Sequence, residues 1–240
     1  MTMSWPQMKP QRSSQAASGR SVGLVIFDCD GVLVDSEILA HELLAEMMTE
    51  LGRPTTTAEA IREFAGRSLT DILKLIEGVL GRELPDEVGR RYGRRLVDRL
   101  RHELTPVSGV KAAIAELPYR RCVASSSSIE RIRLSLEVTG LMPLFDGNIF
   151  SATQVAHGKP APDLYLFAAR SMGAAPGECI VVEDSPLGVS AAVSAKMEVI
   201  GFVGGGHATH NLAENLLAAG ARTVLSSMSA LAATIAEFAI

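Results

Sequence analysis

Two pairs of acids, a hydroxyl run and one lysine carry the chemistry in this 240-residue sequence. The first pair stands in Asp28-Cys29-Asp30-Gly31-Val32-Leu33-Val34-Asp35-Ser36-Glu37, directly after the apolar run Val22 to Phe27. Carboxylates two residues apart at the end of a strand can point into one site once the chain leaves the pleat. One can then be ionised, as nucleophile and metal ligand, while the other holds a proton for a leaving group. Gly31 permits the turn that follows. Taken alone, the segment also reads as a polar loop with a helix cap at Asp35 or Ser36.

The other pieces stand at later element ends. Cys122-Val123-Ala124-Ser125 puts a hydroxyl at the end of a second strand, with Ser126 next and a helix starting near Ser128. A hydroxyl beside the free N–H groups of a helix start makes a phosphate cradle, although a serine there can equally be an N-cap. Gly158-Lys159-Pro160-Ala161-Pro162-Asp163 fixes a lysine just before a helix over Leu164 to Ser171, with Pro162 suited to the helix start. Such a lysine can hold phosphoryl oxygens and balance clustered carboxylates; the plainer reading is an exposed loop lysine. Val181-Val182-Glu183-Asp184 places two acids at another strand end. Carboxylates gathered from separate strand ends form an oxygen site of the kind that suits Mg²⁺ rather than zinc, unless Asp184 only caps the next helix.

These residues need a scaffold that delivers strand ends to one place. Short apolar runs at Val22 to Phe27, Arg121 to Ala124, Cys179 to Val182, Val199 to Phe202 and Thr223 to Leu225 alternate with segments of helical length. The pattern predicts an α/β fold, a doubly wound parallel, Rossmann-like sheet. Between the first strand and Pro106 only helical patterns occur, near Glu37 to Leu51, Ala58 to Phe64, Leu69 to Leu80 and Pro85 to Glu103. That is far too long for an ordinary crossover. It predicts an inserted all-helical cap domain over residues 36–105, with the α/β core formed by 21–35 and 106–240. Arg90, Arg91, Arg94, Arg95, Arg99 and Arg101 lie in the last of these helices. They read first as a solvated amphipathic face, and second as charges that attract an anionic substrate.

Composition narrows the function class. A formal net charge of -4 gives no basic footprint for nucleic acid. No run approaches the ~20 apolar residues that span a bilayer, so no membrane partner is expected. Residues 1–20 mix Gln, Ser, Pro and basic residues and read as a disordered tail, with a transit peptide as the less favoured alternative. A cytoplasmic enzyme is expected, of open oligomeric state. Cys29, Cys122 and Cys179 form no metal spacing and read as reduced core thiols.

Together, and in this order, the four motifs resemble the haloacid dehalogenase-like hydrolase superfamily, in the branch with a helical cap after the first strand. The resemblance covers nearly everything from Val22 onward. It implies that Asp28 is the nucleophile that becomes an aspartyl phosphate, and that Asp30 protonates the leaving oxygen and then activates water. It implies Mg²⁺ held by the Asp28 carboxylate, the Asp30 backbone carbonyl and Asp184, with Glu183 direct or through water. Ser125 and Lys159 would hold the phosphoryl oxygens, with Ser126 beside them. The dehalogenases and phosphonatases of the superfamily lack a carboxylate at the position of Asp30, which disfavours carbon–halogen chemistry.

The similar β-phosphoglucomutases carry a histidine five residues after the match to Asp35, and an arginine three residues after the match to Gly66. Here those positions are Ala40 and Leu69, and His41 is turned by about 100° from Ala40. Phe64-Ala65-Gly66-Arg67-Ser68-Leu69 instead resembles the cap loop of sugar-phosphate and sugar-acid-phosphate phosphatases. The expectation is a Mg²⁺-dependent phosphatase of a small phosphorylated metabolite. Gly66 and Arg67 are its cap contacts, the guanidinium fork gripping a carboxylate or second phosphate, unless Arg67 is a plain surface arginine. A phosphomutase is the alternative, and a silent phosphometabolite-binding module on the same fold a third. Lys196 stands where the family commonly has glycine, which is unfavourable if the backbone there is left-handed.

Overall fold

Leu24–Phe27 form β1, and all four side chains are buried, as expected of a strand covered on both faces. The computed structural model describes residues 22 to 238 apart from 66 and 68, so the expected tail and Gly66 lie outside the described residues. β1 pairs in parallel with β2 (Arg120–Ser125) on one side and β4 (Cys179–Glu183) on the other. β3 (Ile149–Ser151) extends the sheet beyond β2, while β5 (Glu198–Phe202) and β6 (Thr223–Leu225) extend it beyond β4. The order β3-β2-β1-β4-β5-β6 is that of a doubly wound sheet, whose ligand crevice opens where the winding reverses, at the carboxyl ends of β1 and β4. The five expected strands are all present. β3 is an addition: three residues between turns leave too short an apolar run to stand out in sequence.

Alternation along the strands divides the core into two layers. Val25, Phe27, Val123, Val182 and Ile200 face α5 (Val110–Ala115), α6 (Ile129–Val138) and α10 (Leu231–Phe238). Leu24, Ile26, Cys122, Ala124 and Val181 face α7 (Asp163–Ser171), α8 (Pro186–Ser194) and α9 (Leu212–Ala219). All three cysteines are buried and unpaired. Each fully buried Leu, Ile, Val or Phe contributes about 1.5–3 kcal/mol relative to exposure.

Four helices fill the connection from β1 to α5: α1 (Ser36–Glu50), α2 (Thr57–Phe64), α3 (Leu69–Leu80) and α4 (Asp86–Glu103). Leu43, Leu44, Met47 and Met48 of α1 are buried with Phe64 of α2, Ile72 and Ile76 of α3, and Tyr92, Leu96 and Leu100 of α4. A reciprocal capping box, Thr56 with Glu59, starts α2. The arginine run of α4 is a solvated face: Arg91 and Arg95 pair with Glu50, Arg95 and Arg99 with Glu46, and Arg99 with Glu42. These partners neutralise the charges, so the run forms no unscreened anion funnel, and each exposed pair is worth well under ~1 kcal/mol.

The chain leaves and re-enters the sheet region along adjacent paths. Asp35 N–H donates to Thr105 O at 3.0 Å and Val107 N–H to Leu33 O at 3.0 Å, around an antiparallel bridge between Val34 and Pro106. At the end of α8, Lys196 adopts φ 63°. Its N–H bonds Val193 O and that of Met197 bonds Ala192 O, a Schellman closure that normally calls for glycine.

Candidate active site

β1 ends at Phe27, and Asp28 N–H still donates to Val182 O of β4 at 3.0 Å. This last rung holds the first carboxylate beside the end of β4. The chain then turns: Leu33 and Val34 N–H both reach back to Cys29 O, and Gly31 sits at φ 78°. A Cβ on Gly31 would lie 1.8 Å from Asp184 Oδ2, so glycine is needed here for close approach as well as for the turn. Asp28, Glu183 and Asp184 thereby come together as a buried trio whose carboxylate oxygens lie within 4.8 Å of one another.

Lys159 is buried against this trio, its Nζ 2.9 Å from Asp28 Oδ1 and 2.6 Å from Glu183 Oε1. It is no exposed loop lysine. Burial works against its charge, but Asp28 and Glu183 hold the ammonium well above its ordinary pKa. Glu183 is fully buried and accepts from four donors: Lys159 Nζ and Tyr165 OH on Oε1, Ser185 N–H and Oγ on Oε2. Gly188 leaves the space it needs, since a Cβ there would meet Glu183 Oε1 at 1.6 Å. Ser185, rather than Asp184, caps α8, accepting from Gly188 N–H, which frees Asp184 for the cluster.

Asp28 has less support. Lys159 approaches Oδ1 as an ion-pair partner outside hydrogen-bonding geometry, so that among the described residues this buried oxygen has no hydrogen-bond donor. Burial pushes Asp28 well up; Lys159 opposes this, while Glu183, Asp184 and Asp30 add to it. Burial likewise raises Asp184 to about 6, against the bond from His207. Three buried carboxylates around one lysine, with an oxygen left over, have the donor chemistry of a hard divalent cation site. The residues present fit such an ion.

Asp30 is differently housed. Its carboxylate accepts from Ser36 Oγ at 2.5 Å, Ser127 Oγ at 2.7 Å and Arg131 Nη2 at 3.0 Å, with Ser125 Oγ at 3.4 Å. Burial alone would raise its pKa, but Arg131 and the hydroxyls outweigh burial and lower it. The two acids of one motif are thus driven in opposite directions by their surroundings.

The structure therefore gathers Asp28, Asp30, Ser125, Lys159, Glu183 and Asp184 at the carboxyl ends of the strands. Ser125 is buried, accepting from Ser127 N–H at 3.1 Å, and the N-cap of α6 is Ser128. Neither Asp35 nor Ser36 caps α1 through its side chain; Asp35 accepts from Gly206 N–H and Ser36 donates to Asp30. Ser126 is exposed. Arg67 is also exposed, and its Nε donates to Glu63 O at 3.3 Å on the preceding helix rather than to the cluster. His41 turns back to Glu37 O at 2.7 Å. Among the described residues, Ser127, Arg131, Tyr165, Ser185 and His207 adjoin the cluster and were not expected from sequence. The run of serines from Ser125 to Ser128 was the available hint, for Ser127.

Residues 25–202 match the family pattern described as haloacid dehalogenase-like hydrolase. The chain belongs to this family. It is similar to 6-phosphogluconate phosphatase of Escherichia coli (strain K12), 32% identical over 187 residues that cover 76% of this chain and 83% of that protein. Among solved structures it is similar to a haloacid dehalogenase-like protein of unknown function from Agrobacterium tumefaciens, with TM-score 0.86, 39% identity and coverage of 92% and 100% of the two chains. A putative β-phosphoglucomutase from Thermotoga maritima is also similar, with TM-score 0.74, 27% identity and coverage of 90% and 99%. Among the described residues no helix is long and apolar enough to cross a membrane.

Proposed function

We propose that this chain is a Mg²⁺-dependent phosphatase that hydrolyses a small sugar phosphate or sugar-acid phosphate through an aspartyl phosphate on Asp28. The observation that carries this reading is the pairing of Asp28, buried with an oxygen that has no donor, with Asp30, a second carboxylate held by hydroxyls and an arginine in the same turn. The likeness to a 6-phosphogluconate phosphatase supports the substrate class. Asp28 and Asp184 would hold the ion by their carboxylates, the Asp30 carbonyl would join them, and Glu183 would contribute directly or through water. Bound there, Mg²⁺ supplies positive charge that draws the phosphate oxygens in and offsets the carboxylates.

The residues of the chain divide the work. A carboxylate oxygen of Asp28 attacks phosphorus; the bond from phosphorus to the substrate oxygen breaks, and that oxygen takes the proton of Asp30. A water then attacks the aspartyl phosphate, giving its proton to Asp30, and inorganic phosphate leaves with Asp28 restored. The cradle around Asp30 stabilises its ionised form, which suits the second half, when it acts as base. Lys159, Ser125 and the exposed Ser126 would hold the phosphoryl oxygens. Residues 36–105 would act as a cap hinged at Val34 to Ser36 and Thr105 to Gly109, where the two chain paths run side by side, with Gly66 and Arg67 meeting the far end of the substrate. The three reduced, buried thiols support a cytoplasmic setting.

Inorganic phosphate release from sugar phosphates, sugar-acid phosphates, phosphoglycolate and nucleotides, with Mg²⁺ and with excess chelator, tests the proposal. Release should need Mg²⁺ and fall to background in Asp28→Asn; activity of that variant at the unaltered level sinks the mechanism. The likeness to a putative β-phosphoglucomutase keeps a second reading. Under it, a hexose 1-phosphate would be isomerised in the presence of a bisphosphate, and no such product in a coupled assay would discard it.

A further inference from the structure

The loop after β5 runs Val203-Gly204-Gly205-Gly206-His207; Gly204 lets it pack against Phe202 and Ser226, and Gly205 lets it approach the Asp28 turn at Gly31. A Cβ on Gly204 would meet Phe202 Cζ at 2.4 Å and Ser226 O at 2.7 Å; one on Gly205 would meet Gly31 O at 2.8 Å. Gly206 N–H donates to Asp35 Oδ1 at 2.9 Å, tying the loop to the first connection out of the sheet. Thus threaded, the loop delivers the His207 ring between Gly31 and Gly205. There its Nε2 lies 3.0 Å from Asp184 Oδ2. The side chain is only 11% exposed, and its buried Nδ1 has no hydrogen-bond partner among the described residues. Among the described residues the ring's polar contact is therefore the one to Asp184.

We propose that His207 is a positioning residue for the metal site: its Nε2–H holds Asp184 Oδ2, leaving the other carboxylate oxygen aimed at the ion. This rests on the reading of Asp184 as a metal-holding carboxylate. An outer partner of this kind removes the rotational freedom that a ligand would otherwise lose on binding, and its removal typically weakens metal affinity ~10–100-fold. Gly31 is what makes the contact possible, because a Cβ there would overlap both Asp184 Oδ2 and His207 Cε1.

The test is titration calorimetry of Mg²⁺ into the full chain, which needs no substrate. H207F should weaken Mg²⁺ binding ~10–100-fold while circular dichroism stays unchanged, and H207Q, whose amide N–H can still donate, should recover part of the loss. A folded H207F that binds Mg²⁺ as tightly as the unaltered chain overturns the inference and leaves the metal site standing. No Mg²⁺ uptake by the unaltered chain overturns the metal reading and the inference with it. Should H207F fail to fold, G205A displaces the loop with the ring retained; it should also weaken Mg²⁺ binding, and unchanged affinity overturns the inference.

Discussion

Replacing Lys159 by methionine removes the one ammonium buried in the acid trio while keeping most of its volume. At 2.9 and 2.6 Å from Asp28 and Glu183, each attraction is worth ~6 kcal/mol at an effective dielectric of about 20. Most of that is offset by the cost of burying the lysine itself, so the net effect is set by the carboxylates left without a partner, about 3–5 kcal/mol. For a chain of 240 residues this corresponds to a drop in Tm of roughly 6–20 °C. The assay is urea and thermal unfolding of Lys159→Met at pH 8, once in chelator and once in excess Mg²⁺. The full loss is expected in chelator and a smaller one with Mg²⁺, because an ion on the same carboxylates supplies the missing charge and stabilises the folded state by mass action. A loss under ~1 kcal/mol in chelator, or one unchanged by Mg²⁺, would refute the claim that lysine and ion neutralise one shared cluster.

Three further outcomes follow from the same geometry. Lys196→Gly relieves a left-handed residue at φ 63° and should raise stability by about 1 kcal/mol, or roughly 2–4 °C in Tm; an unchanged or lower Tm refutes the strain. Gly188→Ala puts a methyl group on Glu183 Oε1 and should cost about 1–3 kcal/mol and depress phosphate release with it, checked by unfolding and by the release assay on one preparation. In chelator, Asp184 titrates at about 6 when folded against an ordinary 3.8. A raised carboxyl binds its proton more tightly in the folded chain, so its contribution is full below pH 4 and is lost as pH rises through 6, ~3 kcal/mol at ~1.4 per unit. The urea midpoint should fall across that window; a rise would contradict the assignment.

The sheet and the acids were legible because their signals are local. Leu24–Phe27 and Cys179–Glu183 are buried on both faces, so they read as unbroken apolar runs, and each run stops at its acids. β3 was missed because its signal is short: three residues, one of them only half-buried, at the edge of the sheet. Arg131 and His207 were missed for a different reason. Arg131 is 101 positions from the carboxylate it bonds and stands in the first turn of an ordinary amphipathic helix. His207 follows three glycines that by composition read as loose loop; only the overlaps a Cβ would make, on Gly204 with Phe202 and on Gly205 with Gly31 O, show a close-packed path.

The oppositely shifted acids explain why the motif places two carboxylates on either side of a single residue. Asp28 continues the β1 line into the carboxylate trio, where burial raises its pKa, Lys159 opposes the rise and the neighbouring carboxylates add to it, so that further positive charge favours its anion. Asp30 stands on the far side of the Gly31 turn, where the Arg131 guanidinium and hydroxyls from two helical connections lower its pKa without the help of a metal ion. Two acids in one environment would compete for the same proton and the same charge partner. Divided by Cys29, whose side chain packs into the core, they sit in separate environments, and that separation suits one to hold a metal and form a covalent bond and the other to act as the base that takes the proton of the attacking water.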